Sequence, residues 1–171
     1  MGESVSLERA ESLVRSAREQ GKRVVLANGH FDLLHVGHVR YLSGARGEGD
    51  FLVVGVNGDA STARRKGEGR PILPARERAE IVAALEGVEV VVVFESDDVT
   101  ELLERLRPDV HCKGTDYTRE NVPEREVSRR LGGDTRIVGD PKDHSTRDLI
   151  ASVLERFGKK KGLPRKVAPD A

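Results

Sequence analysis

Apolar side chains recur along this chain in two alternating periods. Leu7, Ala10, Leu13, Val14 and Ala17 fall three or four residues apart, the spacing of one helical face, and Gly21 marks where that helix ends. Val24-Val25-Leu26-Ala27 follows as a short β-branched run and reads as a strand. Phe51-Leu52-Val53-Val54-Gly55-Val56 is almost continuously apolar, the pattern of a strand buried on both faces. Further strands are expected over 88–94, 109–112 and 136–138. Between them, helices are expected from Val39-Arg40-Tyr41-Leu42, from Asp59 as the cap of a short helix, and from Pro74 through Ala79, Ile81, Val82 and Leu85. Three more are expected over 99–106, ending before Pro108, over 123–131, and over 145–157. Strands alternating with helices predict an α/β fold: a Rossmann-like, doubly wound, parallel five-stranded sheet flanked by helices. Residues 1–157 form one domain, and 158–171, with Lys159-Lys160-Lys161 and two prolines, read as a disordered tail.

The chemistry concentrates directly after the first strand, in Asn28-Gly29-His30-Phe31-Asp32-Leu33-Leu34-His35-Val36-Gly37-His38. Gly29 permits close backbone approach. His35 and His38 stand three residues apart, so at a helix start both rings project from one face. A helix N-terminus offers unpaired N–H groups and a positive dipole end, and imidazoles there donate to phosphate oxygens, better when protonated. The strand, glycine turn, His-x-Gly-His and helix in that order read as a nucleotide phosphate site. Two histidines without a role are the plainer alternative. A zinc pair is disfavoured, since zinc wants further ligands, Cys112 is the only cysteine and no His-Glu-x-x-His occurs. No protein-held metal site is expected.

Composition narrows the classes. Lys+Arg and Asp+Glu are both 29, so no net field attracts nucleic acid or an anionic membrane. No apolar run is long enough to span a bilayer. Residues 1–6 lack the basic and apolar segments of a secretory leader, and one cysteine builds no intramolecular disulfide, so a cytoplasmic setting is expected.

The run Gly-x-Phe-Asp-Leu-Leu-His-x-Gly-His resembles the motif of the HxGH nucleotidylyltransferases, in their cytidylyltransferase-like branch. The likeness continues through Val56-Asn57-Gly58-Asp59, Lys66-Gly67, Arg70-Pro71-Ile72, Glu77-Arg78, Pro108-Asp109, Lys113-Gly114-Thr115-Asp116-Tyr117 and Ser145-Thr146. Within the branch, Lys113–Tyr117 and Arg70-Pro71 look most like the enzymes that adenylylate heptose 1-phosphate. The resemblance implies transfer of AMP from ATP to that sugar phosphate, with release of pyrophosphate. It implies His35, His38 and Lys66 as the catalytic groups, with Lys66 on a mobile loop. Nucleotide contacts are implied for Asn28, Gly29, His30, Phe31, His38, Arg78, Lys113, Gly114, Asp116, Ser145 and Thr146. Asp32, Asn57, Asp59, Lys66 and Tyr117 are expected at the acceptor. Mg²⁺ is expected to ride on the nucleotide phosphates, and a homodimer is expected.

Alternatives stand beside several of these roles. Ser145-Thr146 is equally an ordinary helix cap, and only the resemblance assigns it to the β- and γ-phosphates. Asp32 orients a histidine, contacts a metal-bound water, or merely fixes its own turn. His30, where a small or apolar residue is common, His144 and Arg147 depart from the family pattern. CTP-dependent transfer to glycerol 3-phosphate is the rival reaction, and a nucleotide-binding module without catalysis is the rival class.

Overall fold

Residues that alternate along the central strands go to opposite faces of one sheet, and both faces are covered. In the computed structural model, which describes residues 1–141 and 145–158, Val25, Ala27, Leu52, Val54, Val56, Val91 and Cys112 line one core. Val24, Leu26, Val53, Val90 and Val92 line the other. The elements run β1 (Glu3–Val5), α1 (Leu7–Glu19), β2 (Val24–Gly29), α2 (Val36–Arg46), β3 (Phe51–Asn57), α3 (Asp59–Lys66) and α4 (Ala75–Ala83). They continue as β4 (Val90–Phe94), α5 (Thr100–Leu106), β5 (Val110–Lys113), α6 (Arg125–Arg130), β6 (Asp134–Ile137) and α7 (Thr146–Phe157). Tyr41, Leu42 and Ala45 of α2 and Ala79 and Val82 of α4 fill the first core. Ala10 and Val14 of α1 and Leu102, Leu103 and Leu106 of α5 fill the second.

The sheet is parallel throughout, in the order β1-β4-β3-β2-β5-β6. It has six strands where five were expected. The additional strand, β1, pairs Glu3, Ser4 and Val5 with Val90, Val91 and Val92 at one edge. Its side chains are exposed or half-buried, so backbone pairing makes the strand and no apolar pattern announces it. The chain leaves β2 toward β3 and β4 on one side, then returns to lay β5 on the other. The carboxyl ends of β2 and β5 therefore flank the point where strand order reverses, the usual ligand crevice of such sheets.

Two local expectations change. Gly58, not Asp59, caps α3, and the Asp59 carboxylate instead accepts the Ala75 N–H at 2.8 Å, at the start of α4. Lys66, expected within a mobile loop, is the last residue of α3, and Gly67 ends the helix at φ 93°, a conformation that favours glycine. His144 and the tail over 159–171 lie outside the described residues. Among the described residues no helix is long and apolar enough to cross a membrane.

Candidate active site

The segment after β2 is shaped by two left-handed residues, Phe31 at φ 49° and Leu33 at φ 55°. Phe31 is held there by burial: its ring lies against Gly29, where an added Cβ would stand only 3.1 Å from it. The same ring meets His38 at 5.3 Å between centroids and stacks on Tyr41 at 6.5 Å. Tyr41 donates its buried hydroxyl to the Cys112 carbonyl at 2.8 Å and accepts the Asn28 N–H at 3.3 Å, tying the ends of β2 and β5 together.

This bend delivers His35 to the N-cap of α2 and His38 to its first turn, with the rings stacked at 3.8 Å. The His35 N–H donates to Nδ1 of His38 at 3.3 Å, so the proton of a neutral His38 sits on Nε2. Burial first, then the charges of His35 and Lys66, holds His38 down to about 4. At neutral pH it is thus an uncharged donor with a fixed tautomer, beside the amide end of an 11-residue helix.

Asp32 does not close its own turn; its carboxylate turns to a distant segment. It is 2% exposed, and its carboxylate accepts from Arg70 Nε at 2.5 Å, the Ile72 N–H at 2.9 Å and the Leu73 N–H at 3.2 Å. It clamps the segment after α3 onto the histidine loop. The Asp32 carbonyl accepts the Thr146 hydroxyl at 2.7 Å, so the start of α7 docks on the same loop.

Arg78, expected at the nucleotide, is wholly buried and is spent on protein acceptors. It donates to the carbonyls of His30 at 2.5 Å, Asn57 at 2.7 Å and Leu73 at 2.9 Å, and to the Asp59 carboxylate at 2.7 Å. Those four acceptors lie on three segments of the site, so Arg78 acts as their internal brace. Asn57, expected at the acceptor, is also buried, its amide donating to Ser61 Oγ at 3.2 Å. Asp59 is half exposed at the rim.

At the end of β5, Lys113 is 6% exposed. Its ammonium donates to Asn28 Oδ1 at 3.2 Å, lies 3.3 Å from the Glu124 carboxylate and sits 5.3 Å over the Tyr117 ring. Burial pushes its pKa down and Glu124 pulls it back up. His111, wholly buried, reaches the same Asn28 oxygen at 3.2 Å and is pushed down to about 3 by burial. Gly114 begins the turn that follows, where the Tyr117 N–H returns to the Gly114 carbonyl and Asp116 is exposed. Ser145 is the N-cap of α7, accepting the Asp148 N–H at 3.1 Å and donating to its carboxylate at 2.6 Å.

Hydrogen bonds thus join His30, Asp32, Asn57, Asp59, Arg78 and Thr146 into one framework around the stacked histidines, while Asn28 and Lys113 form its β5 side. Ser145 is capped locally. Arg70 enters the sequence reading only as part of the family likeness, and Thr62, His111 and Glu124 do not enter it. His111 alone left a signal there, as a charged-type residue inside an apolar strand. Among the described residues no group of three or more His, Cys, Asp or Glu is arranged to hold a metal ion.

Residues 26–156 match the family model described as cytidylyltransferase-like. A bifunctional protein HldE of Geobacter sulfurreducens is 49% identical over 146 residues, which are 85% of this chain and 30% of that protein. Another, of Nitrobacter hamburgensis, is 50% identical over 133 residues, 78% of this chain and 27% of the relative. The chain spans about 30% of the length of the first of these curated relatives. A solved structure of a lipopolysaccharide core biosynthesis protein from Thermoplasma volcanium is 32% identical, with a TM-score of 0.58, covering 68% of this chain and 94% of its own. With the histidine pair at the strand crossover and the family model spanning most of its length, the chain belongs to the cytidylyltransferase-like family of nucleotidyltransferases.

Proposed function

We propose that this nucleotidyltransferase moves AMP from ATP to a heptose 1-phosphate, giving ADP-heptose and pyrophosphate. The observation that carries the transfer chemistry is the stacked His35–His38 pair at the N-terminus of α2, with His38 neutral and its Nε2–H the donor. An oxygen of the sugar phosphate attacks the α-phosphorus in line and the bond to the bridging oxygen of pyrophosphate breaks. That nucleophile is already ionised at neutral pH, so no general base and no covalent enzyme intermediate are needed. The chain contributes positioning and charge stabilisation. His35 and His38 donate to the α- and β-phosphate oxygens, and Lys66 supplies a point charge from the end of α3. Ser145 and Thr146, at the start of the 12-residue α7, serve the β- and γ-phosphates.

Mg²⁺ fits this site through the substrate. The Asp32 carboxylate is committed to Arg70 and two backbone amides, so the ion would be held by phosphate oxygens and water. It would supply further neutralisation of the triphosphate. The acceptor lies toward Asp59, Asp116 and Tyr117, whose polar groups suit a polyhydroxylated sugar. The likeness at Lys113–Tyr117 and the curated relatives support heptose over glycerol.

We also propose a homodimer. α7 buries no residue and exposes Leu149, Val153, Leu154 and Phe157, and a 12-residue helix is marginal without packing. A second copy covering that stripe would give it a partner.

The deciding experiment measures pyrophosphate release for each of four nucleoside triphosphates with heptose 1-phosphate and with glycerol 3-phosphate. ATP with heptose 1-phosphate should be turned over fastest. Preference for CTP with glycerol 3-phosphate would overturn the substrates, and absence of turnover with nucleotide binding intact would overturn the activity.

A further inference from the structure

The end of β5 orients a side chain at the end of β2. Leu26 pairs with His111 across the two strands, so Leu26, Asn28, His111 and Lys113 project from one face of the sheet, opposite Ala27 and Cys112. The side-chain oxygen of Asn28 lies 3.2 Å from Nζ of Lys113 and 3.2 Å from Nε2 of His111. An ammonium only donates, so the atom that faces it is Oδ1 and not the amide nitrogen. The same oxygen then obliges His111 to donate: burial holds this imidazole neutral, and its single proton sits on Nε2. Nδ1 of His111 is left bare, a buried nitrogen without a partner among the described residues. An apolar residue would avoid that cost inside β5, so the packing of the strand does not account for the histidine.

The main chain of Asn28 is held separately, by strand pairing with Gly55 and by the Tyr41 hydroxyl that accepts its N–H at 3.3 Å. Neither contact decides which way the side-chain amide faces. Among the described residues, Lys113 and His111 are the polar partners of that amide, and both hold its oxygen. Its nitrogen therefore turns the other way. Nδ2 meets no protein acceptor among the described residues and is not enclosed, so its N–H groups open on the crevice between the ends of β2 and β5. Lys113 is meanwhile matched inside, 3.3 Å from the buried Glu124 carboxylate, and its charge is not offered to the crevice.

We infer that Lys113 and His111 are positioning residues for Asn28: they hold its oxygen inward, so that its NH2 donates to an oxygen of the nucleotide, and neither of them touches the nucleotide itself. The inference rests on the reading that ATP occupies this crevice, and it differs from a direct phosphate contact by Lys113 in what it predicts. Binding of ATP with Mg²⁺ is measured by titration calorimetry for Asn28→Ala, Asn28→Asp, His111→Leu and Lys113→Met, the last made together with Glu124→Gln so that no carboxylate is stranded in the core. Asn28→Ala should weaken binding by about tenfold, the scale of one hydrogen bond. Asn28→Asp keeps the inward oxygen but cannot donate outward, and should bind no better than Asn28→Ala. Lys113→Met with Glu124→Gln lets the amide turn over against either tautomer of His111, and should weaken binding toward the Asn28→Ala level. In the Asn28→Ala background the same pair should have no further effect. His111→Leu, with Lys113 still in place, should weaken binding less, while its urea midpoint holds or rises.

Nitrogen NMR shifts of His111 give a readout independent of any ligand: a protonated Nε2 and bare Nδ1 in the native protein, and a mixture of tautomers once Lys113 is replaced. Native ATP affinity in Asn28→Asp, a further loss on removing Lys113 from Asn28→Ala, a protonated Nδ1 in the native protein, or a lowered urea midpoint with native affinity in His111→Leu would each overturn the inference. A native protein that binds no ATP would instead overturn the nucleotide reading, and the His111 tautomer would still decide whether Asn28 is locked.

Discussion

Replacing Arg78 by Lys keeps a cation in the core but removes the fork that joins three segments of the site. In the native protein the guanidinium serves three carbonyls and the Asp59 carboxylate, and none of it reaches water. A lysine ammonium, shorter and without a planar fork, reaches at most part of that set. Two buried carbonyls left without donors, at roughly 1–3 kcal/mol each, put the loss near 3 kcal/mol. For a domain of this size that is a fall in Tm of roughly 6–12 °C, and a large share of a typical total stability. Urea titration at pH 7.5 would measure it directly, with Asp59→Asn as a control expected to cost less, because Asp59 is half exposed. Activity in Arg78→Lys should fall mainly in kcat, as the carbonyls of His30 and Asn57 relax. A native urea midpoint with a raised KM for ATP would refute the brace and return Arg78 to the nucleotide.

Histidine protonation should set the acid side of the stability curve. His30 and His38 are held down to about 4 and His111 to about 3, against about 6.5 when unfolded, so the unfolded chain binds more protons across that interval. Stability should therefore fall as pH drops from about 6.5 toward 4, and urea midpoints unchanged between pH 7 and pH 5 would contradict the burial of these rings. His38→Ala should lower kcat by about 10²–10³, the cost of deleting a preorganised donor to developing charge; a purified variant at the native rate would remove it from the site. Trypsin should cut the free enzyme among Arg64, Arg65 and Lys66 and slow when nucleotide and sugar phosphate are both bound; equal rates would rule out closure of this segment over substrates. Leu154→Lys, on the exposed face of α7, should lower the sedimentation mass if that stripe joins two copies, and a native protein that already sediments as a monomer would dismiss the dimer.

The inner strands were legible because a parallel sheet covered on both faces demands apolar residues at nearly every position, as in β2, β3 and β4. The edge strand β1 was not, since Glu3 and Ser4 contribute only main-chain pairing. The location of the site was also legible, from the glycine turn and the paired histidines after β2. What escaped was the direction in which individual polar side chains turn. Arg78 and Asn57 read as ligand contacts, yet both face inward, Arg78 to the carbonyls of His30, Asn57 and Leu73 and the Asn57 amide to the Ser61 hydroxyl. Asp32 has the composition of a turn former, but its partners are about 40 residues away, a distance at which local chemistry carries no information. Lys113 read as an open phosphate contact because its buried partner, Glu124, comes from a separate segment.

The bond from Thr146 to the carbonyl of Asp32 links positions 114 residues apart. It ties the geometry of the histidine loop to the last helix to be synthesised among the described elements, although the loop itself belongs to the first quarter of the chain. A nascent protein can assemble β2, β3 and β4 from neighbouring segments and still lack β5, which completes the crevice, and α7, which seats the loop. Catalytic competence should accordingly appear late on the folding pathway, after the sheet has begun to form and collapse has ended. Recovery of turnover during refolding is then a stricter clock than recovery of helical signal.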